Sequence, residues 1–503
     1  MPAVARSAKV GARSSGLRLW LLPLVPFVLL ATANSAGYRY GASDLAFYGP
    51  AVMRQLDPGL FPRDTPVIDA QARLTFMDET VAAISRLTTD DLPTLFLGLY
   101  VVTLALLAAG IGAIGASLYS SRWTTIALLG AVTLRHAIAK SGTNSLEGYF
   151  HPRQLAFAFG TLAIAAFLRG RTTLAALALC AAGSLHPTTT LWLAIWLGVA
   201  TFVARPEWRK WLGAAIVAVV AVAIWTLTLG PLAGRLALMD AEWLAALGDK
   251  DYLFPLRWPA SVWLTNAGYV MAIVWIYSRR AAAGVTTAAE AGLAVGCLAL
   301  AAVFAVAVPL NAARVALAIQ LQPARVFWIL DLLAIIYLVW AIAEGRRTPD
   351  SRRASLAAAA LAVLSLARGV YVMHVEFPER SLFGREPGGD WGRVAAWVRS
   401  TPNDSSWLAD PLHAALYGTS LRMAAAHDVF VEGTKDAAIG MYDRGIALRT
   451  RDRLRRVALF TQMSADELRD VGRDYQLDYL ISEAEMPMPL VYQSGLIRIY
   501  RLR

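Results

Sequence analysis

Long apolar blocks separated by short polar stretches fill the first three quarters of this chain. They run over Leu17–Ala33, Leu92–Tyr119, Trp123–Ala139, Pro152–Leu168, Thr172–Ser184, Thr188–Ala204, Trp211–Leu229, Ala260–Tyr277, Ala291–Pro309, Val326–Ala343 and Ala354–Val372. Most approach the roughly 17–25 residues that a helix needs to cross a hydrocarbon core. The blocks around Thr172–Thr190 are the shortest, and His186-Pro187 sits at their junction. Beyond Phe377 the pattern changes, with short apolar runs and interleaved charges. Trp391–Arg399 reads as an amphipathic helix and Trp407-Leu-Ala-Asp410 as a short buried strand. Ser464-Ala-Asp-Glu467 is a capping box opening a helix to about Tyr475, and Asp478–Ser482 and Leu496–Tyr500 read as strands. The expected architecture is an all-α polytopic membrane domain over residues 1–374, with about eleven transmembrane helices and a long first outer loop at 35–91. A small extracytoplasmic α/β domain over 375–503 follows.

Composition agrees with the pattern. Of 503 residues, 57% are hydrophobic and 17% charged, and the mean hydropathy is +0.48. Soluble domains carry about a quarter charged residues, so water is not the solvent for most of this chain. The net charge of +11 is scattered in short clusters between apolar blocks. That distribution sets topology and argues against nucleic acid. Arg6, Lys9 and Arg13, with Arg18 at its very start, flank the first block and place the N-terminus in the cytoplasm. Alternation then makes every short inner loop basic: Arg122; Arg169 and Arg171; Arg205, Arg209 and Lys210; Arg279 and Arg280; Arg346, Arg347, Arg352 and Arg353. The first outer loop holds Asp44, Asp57, Asp64, Asp69, Asp78, Glu79, Asp90 and Asp91. Ala31-Thr-Ala33 resembles a signal-peptidase site, although an uncleaved anchor is favoured. Cys180 and Cys297 lie inside apolar blocks and read as packing residues. The excess of Ala, Leu, Val, Arg and Gly over Lys and Asn suggests a bacterial source, hence the inner membrane.

Informative polar residues gather at outer helix ends. Asp44 follows the first block in an aromatic setting, where an acid can accept a proton from a hydroxyl or hold a divalent ion. A helix N-cap at Ser43 or Asp44 explains the same residues. His151-Pro-Arg153-Gln154 opens another span, and a forked guanidinium at a helix N-terminus suits phosphate. Snorkelling of Arg153 to headgroups is the plainer account. His186, Arg314, Gln320, Gln322 and Arg325 occupy further outer junctions. A charge such as Arg325 at the membrane boundary should pair with a carboxylate or a phosphate, and Arg135 and His136 invite the same reading. In the C-terminal region, Arg422, His427, Glu432 and Lys435 look exposed and polar. HExxH, Walker, GxSxG and CxxCH signatures are absent, and acids are nearly missing from the spans, with Asp331 the main exception.

This layout resembles the GT-C superfamily of glycosyltransferases, which use polyprenyl-phosphate-linked sugars outside the cytoplasmic membrane. The shared features are an acid in a long first outer loop with amphipathic helices (Asp44–Gln55 and Asp69–Leu87), many spans, and a final extracytoplasmic domain. His151-Pro-Arg-Gln154, Leu185-His-Pro187, Gln322-Pro-Ala-Arg325 and Trp397-Val-Arg-Ser-Thr-Pro402 also look like a group of bacterial membrane proteins related to this layout. The resemblance implies Asp44 as general base or metal-holding acid. It implies Arg135, His136, His151, Arg153, Gln154, His186, Arg314, Gln322 and Arg325 as candidates for the lipid-linked donor. Many superfamily members show a paired acid after the first span. Asp44 stands alone, which leaves a divalent ion an open question. The implied function is inverting sugar transfer from a polyprenyl-phosphate-linked donor to an acceptor. A lipid-linked glycan-binding assembly factor and a transporter are the alternatives, the latter expected to bury midplane carboxylates.

Overall fold

The computed structural model describes residues 23–503 except 249, 347–349 and 386. The basic N-terminal residues Arg6, Lys9, Arg13 and Arg18, and Arg347, lie outside the described residues. Each of the eleven apolar blocks contains a helix. Seven helical segments are long and apolar enough to cross a membrane: Leu92–Leu118, Pro187–Ala204, Pro206–Thr228, Ala260–Ala282, Ala288–Ala312, Ala316–Ala343 and Ser351–Glu376. The chain is therefore a multi-pass membrane protein.

The remaining four helices, Leu24–Asn34, Arg122–Val132, Pro152–Leu168 and Thr172–Leu185, have 11, 11, 17 and 14 residues. At 1.5 Å per residue they span only about 16–26 Å. The block expected to be helical over Trp123–Ala139 stops at Val132. Thr133 donates its hydroxyl back to the Gly130 carbonyl, and Ala137–Ile138 pairs antiparallel with Thr143–Asn144 in a small hairpin. The hairpin turns the chain toward His151.

Small residues permit close helix approach. A Cβ at Gly292 would meet the Ala200 carbonyl oxygen at 2.5 Å, and one at Gly296 the Trp196 carbonyl oxygen at 2.7 Å. This spacing of small residues seats the helix Ala288–Ala312 against Pro187–Ala204. Trp196 donates its indole N–H to the Leu293 carbonyl across that seam at 2.8 Å. Cys297 is buried there, Cys180 is exposed, and both are free thiols. Arg280, in an expected inner loop, is instead buried in a forked pair with Glu290 at 2.5 and 3.1 Å. Helix Arg209–Thr228 buries none of its residues against the rest of the chain, as a lipid-facing span should.

The first long loop carries the expected helix at Leu45–Leu56, preceded by Asp44. The second expected helix, Asp69–Leu87, is two: Thr65–Ala72 and Met77–Thr88. The break falls where the Phe76 N–H donates to the Ser184 carbonyl at 3.1 Å, a contact between distant segments that local periodicity does not encode.

The C-terminal region holds a five-stranded mixed sheet. Ser406–Leu408 lies parallel between Asp428–Val429 and Tyr479–Ser482. Ile497–Arg501 then runs antiparallel between Tyr479–Ser482 and Leu490–Ser494. Two features join this region to the first loop. Tyr38–Arg39 pairs parallel with Phe383–Gly384. Arg422 reaches Asp64 at 2.8 Å and grips Asp436 through both guanidinium ends at 2.6 and 3.0 Å, while Arg449 reaches Asp64 at 2.7 Å. Arg422, His427 and Glu432, expected on the surface, are each only 1% exposed. Arg422 pairs with Asp64 and Asp436, Glu432 meets the Ser420 hydroxyl, and His427 lies against the Ala425 and Pro402 carbonyls; burial with such partners leaves no trace in composition.

Candidate functional site

Asp44 precedes the helix Leu45–Leu56 at the N-cap position, yet its side chain makes no capping hydrogen bond. The carboxylate turns away from the helix. Its Oδ2 lies 3.0 Å from His151 Nε2, and its Oδ1 lies 2.5 Å from Lys435 Nζ. Ser43 holds φ at +53°, in the left-handed region that costs a non-glycine residue about 1 kcal/mol or more. Its hydroxyl also accepts from Lys435 Nζ at 3.0 Å. The capping account of Asp44 therefore gives way to a carboxylate aimed at two donors.

The tautomer of His151 follows from its own position. It caps the helix Pro152–Leu168, and Nδ1 accepts the Arg153 backbone N–H at 3.0 Å. A neutral ring with an accepting Nδ1 carries its proton on Nε2, so Nε2–H donates to Asp44. His186 behaves likewise at the next junction. Its Nδ1 takes the Thr189 N–H at 3.2 Å and the Thr189 hydroxyl at 3.0 Å. The two rings stand edge to face, 6.3 Å apart.

Burial alone would raise the Asp44 pKa, but the Lys435 ammonium and the His151 hydrogen bond hold it well below the usual carboxylate range. Burial, reinforced by Arg153, pushes His151 down to about 3. Burial, with Arg325 second, holds His186 well below its ordinary value. At neutral pH the site thus holds an ionised carboxylate and two uncharged imidazoles.

These groups line a cavity of about 230 Å³. Arg153, Lys250, Arg325 and Lys435 face two lining carboxylates, Asp44 and Glu147. Arg153 donates to Glu147 at 2.9 Å, and Asn144 donates to the other Glu147 oxygen at 3.1 Å. Arg325 ends a short turn, Pro323–Arg325, before the helix Val326–Ala343. The residue before that turn, Gln322, is left-handed at φ +51°. Its amide N–H₂ points to Tyr442 OH at 3.3 Å. The expected carboxylate partner of Arg325 is absent among the described residues, and its buried Nε has no hydrogen-bond partner. The buried Gln322 Oε1 is equally unsatisfied. Asp44 itself is 24% exposed, enough for a ligand group to reach it.

The cavity therefore gathers Asp44, His151, Arg153, His186, Gln322 and Arg325 from separate loops. Four expected residues lie outside its lining. His136 faces both Asp331 oxygens at 3.1 Å through Nε2 and lies 2.9 Å from the Leu134 carbonyl through Nδ1. Its pKa is raised, first by that Asp331 hydrogen bond. Arg135 donates to the Leu146 carbonyl at 3.0 Å. Gln154 is buried beside the Ser145 carbonyl, and Arg314 is exposed. Tyr48, Tyr149, Tyr252 and Tyr442 complete the lining from four different segments. Tyrosines are too common for spacing alone to have singled these out.

A divalent ion does not fit the donor set. Among the described residues no group of three or more His, Cys, Asp or Glu could hold one. Both lone-pair positions of His151 are spoken for, since Nδ1 accepts a backbone N–H and Nε2 bears a proton. An ammonium already lies against the carboxylate.

No family model and no curated protein matches the sequence. Among solved structures, the Archaeoglobus fulgidus oligosaccharyltransferase in complex with zinc and sulfate aligns over 91% of this chain and 67% of its own, at TM-score 0.45 and 11% identity. The apo form of that protein aligns over 94% and 70%, with the same TM-score and identity.

Proposed function

We propose that this protein transfers a sugar from a polyprenyl-phosphate-linked donor to an acceptor hydroxyl on the extracytoplasmic face, with inversion at the anomeric carbon. The observation that carries the reading is the buried, unsatisfied Arg325 Nε in the same cavity as an accessible, ionised Asp44. A buried guanidinium N–H without a partner is costly, and an anionic ligand relieves it. A phosphate offers the acceptors that a guanidinium fork fits.

In this reading the acceptor hydroxyl lies against Asp44, whose oxygens each have a second lone pair to receive it. The acceptor oxygen forms a bond to the anomeric carbon as the carbon–oxygen bond to phosphate breaks. The phosphate leaves with the bonding electrons and is stabilised by Arg325 and Arg153. The hydroxyl proton passes to Asp44. A carboxylate held at so low a pKa is a weak base, so proton transfer comes late, when bond formation has made the hydroxyl acidic. One displacement without an enzyme-bound sugar inverts the centre.

The basic loops at the opposite ends of these helices support an outward cavity. Eleven crossings, the membrane boundary near residue 374 and a donor at headgroup level belong to the same proposal. Purified protein supplied with polyprenyl-phosphate sugars tests it. Asp44→Asn is expected to slow transfer by roughly 100-fold or more, in line with the loss of a positioned acid–base group. Transfer by Asp44→Asn at the wild-type rate would remove the base from the mechanism.

A further inference from the structure

We infer that Lys435 is the resident cation of this site, occupying the place beside Asp44 where a divalent ion would otherwise sit, and that the C-terminal region is thereby part of the reacting centre. Lys435 belongs to the helix Gly433–Ile439, nearly 400 residues after Asp44 in the chain. Its ammonium contacts Asp44 Oδ1 at 2.5 Å and the Ser43 hydroxyl at 3.0 Å. The lysine side chain is only 16% exposed, so this is an enclosed contact rather than a solvated surface pair.

The approach is held from both sides. Asp436, the next residue, is gripped by Arg422, and Arg422 also grips Asp64 of the loop that carries Asp44. The Glu432 backbone N–H donates to Asp436 at 3.1 Å and fixes the start of the helix. On the other side, Ser43 keeps a left-handed backbone with its hydroxyl on the ammonium. The same three-point joint that locks the C-terminal region to the loop therefore delivers one positive charge to the carboxylate. With His151 donating to the second oxygen, Asp44 is kept ionised and oriented without any ligand vacancy for a metal. Lys435 acts through Asp44 and is a positioning residue.

The inference rests on the transfer reading for its kinetic test, so a binding test that needs no turnover stands beside it. Full-length protein in detergent is titrated with Mn²⁺ and bound metal read by electron paramagnetic resonance. Wild type and Asp44→Asn are expected to retain the same amount; Asp44-dependent Mn²⁺ binding by the wild type overturns the inference whether or not sugar is transferred. In the transfer assay, wild type is expected to keep its full rate in EDTA, and Lys435→Ala to fall by roughly 100-fold. Lys435→Cys treated with 2-bromoethylamine, which restores an ammonium at nearly the same length, is expected to regain most of the rate. Wild type treated in parallel controls for the exposed Cys180. A Lys435→Ala protein at full rate, or an alkylated Lys435→Cys protein as slow as the untreated one, overturns the inference. If wild type transfers no sugar, the transfer reading fails and the Mn²⁺ titration alone decides this one.

Discussion

Arg422 and Arg325 are two enclosed arginines, both in contact with residues from more than one segment, and they differ in how they are satisfied. Arg422 is 1% exposed and meets Asp64 and Asp436 through three hydrogen bonds of 2.6–3.0 Å. Arg325 lines a cavity and leaves Nε without a partner among the described residues. A fully paired buried charge marks a joint, because removing either side strands the other in low dielectric. An unpaired N–H keeps a donor that a ligand oxygen can accept from. Arg422 is fully buried and Arg325 half-buried, but hydrogen-bond satisfaction is what separates their roles.

The largest way to break this comparison is Arg422→Ala. It leaves Asp436 and the neighbouring Glu432 without their cation and Asp64 with Arg449 alone, and is expected to cost about 3–5 kcal/mol of stability. Chemical denaturation of the full chain in detergent measures it. A denaturation midpoint equal to wild type would mean that the Arg422 pairs contribute nothing to stability.

Arg325→Ala should do the reverse. Among the described residues no carboxylate is paired with Arg325, so the denaturation midpoint should be unchanged or slightly raised. Affinity for polyprenyl phosphate should drop by roughly 10- to 100-fold, the loss of one or more hydrogen bonds to a charged group. Detergent-phase binding of the lipid phosphate reads the second effect. Lost stability with unchanged lipid affinity would make Arg325 a structural residue like Arg422.

The sequence carried part of this contrast. Apolar blocks are a long-range average and survive error in any one residue, which is why all eleven emerged as helices. The junction residues His151, His186 and Arg325 were legible because charge and imidazole are conspicuous beside apolar spans. What periodicity could not supply was pairing across the chain. His136 and Arg325 look alike in sequence, each a basic residue at a helix end, yet one meets Asp331 and the other leaves Nε without a partner among the described residues. Lys435 was visible only as one polar residue among several. Its meeting with Asp44 depends on the Asp64–Arg422–Asp436 joint, whose members lie up to 372 positions apart. The short ends were misjudged for a related reason: the helix begun at Arg122 stops early because the following residues satisfy their backbone in a hairpin.

The smallest effect separates the joint from the cavity by pH. Glu432 is buried beside Ser420 and has one carboxylate oxygen without a partner. Burial raises its pKa from 4.5 to about 7, with Arg422 pulling the other way. Below about 4.5 both folded and unfolded chains hold the proton, and this group's stabilising contribution is complete. As pH rises toward 7 the unfolded chain releases the proton first. The contribution is then lost at on the order of 1 kcal/mol per pH unit. The difference in denaturation midpoint between wild type and Glu432→Gln should therefore change steadily from pH 5 to 7. The cavity has no such slope in that window. Asp44 is already ionised, and His151, at about 3, is already neutral. Lipid-phosphate binding should accordingly change little over pH 5–7 once the donor phosphate's own titration is subtracted. A binding curve that instead followed Glu432, and flattened in Glu432→Gln, would show that the joint and the cavity act as one unit.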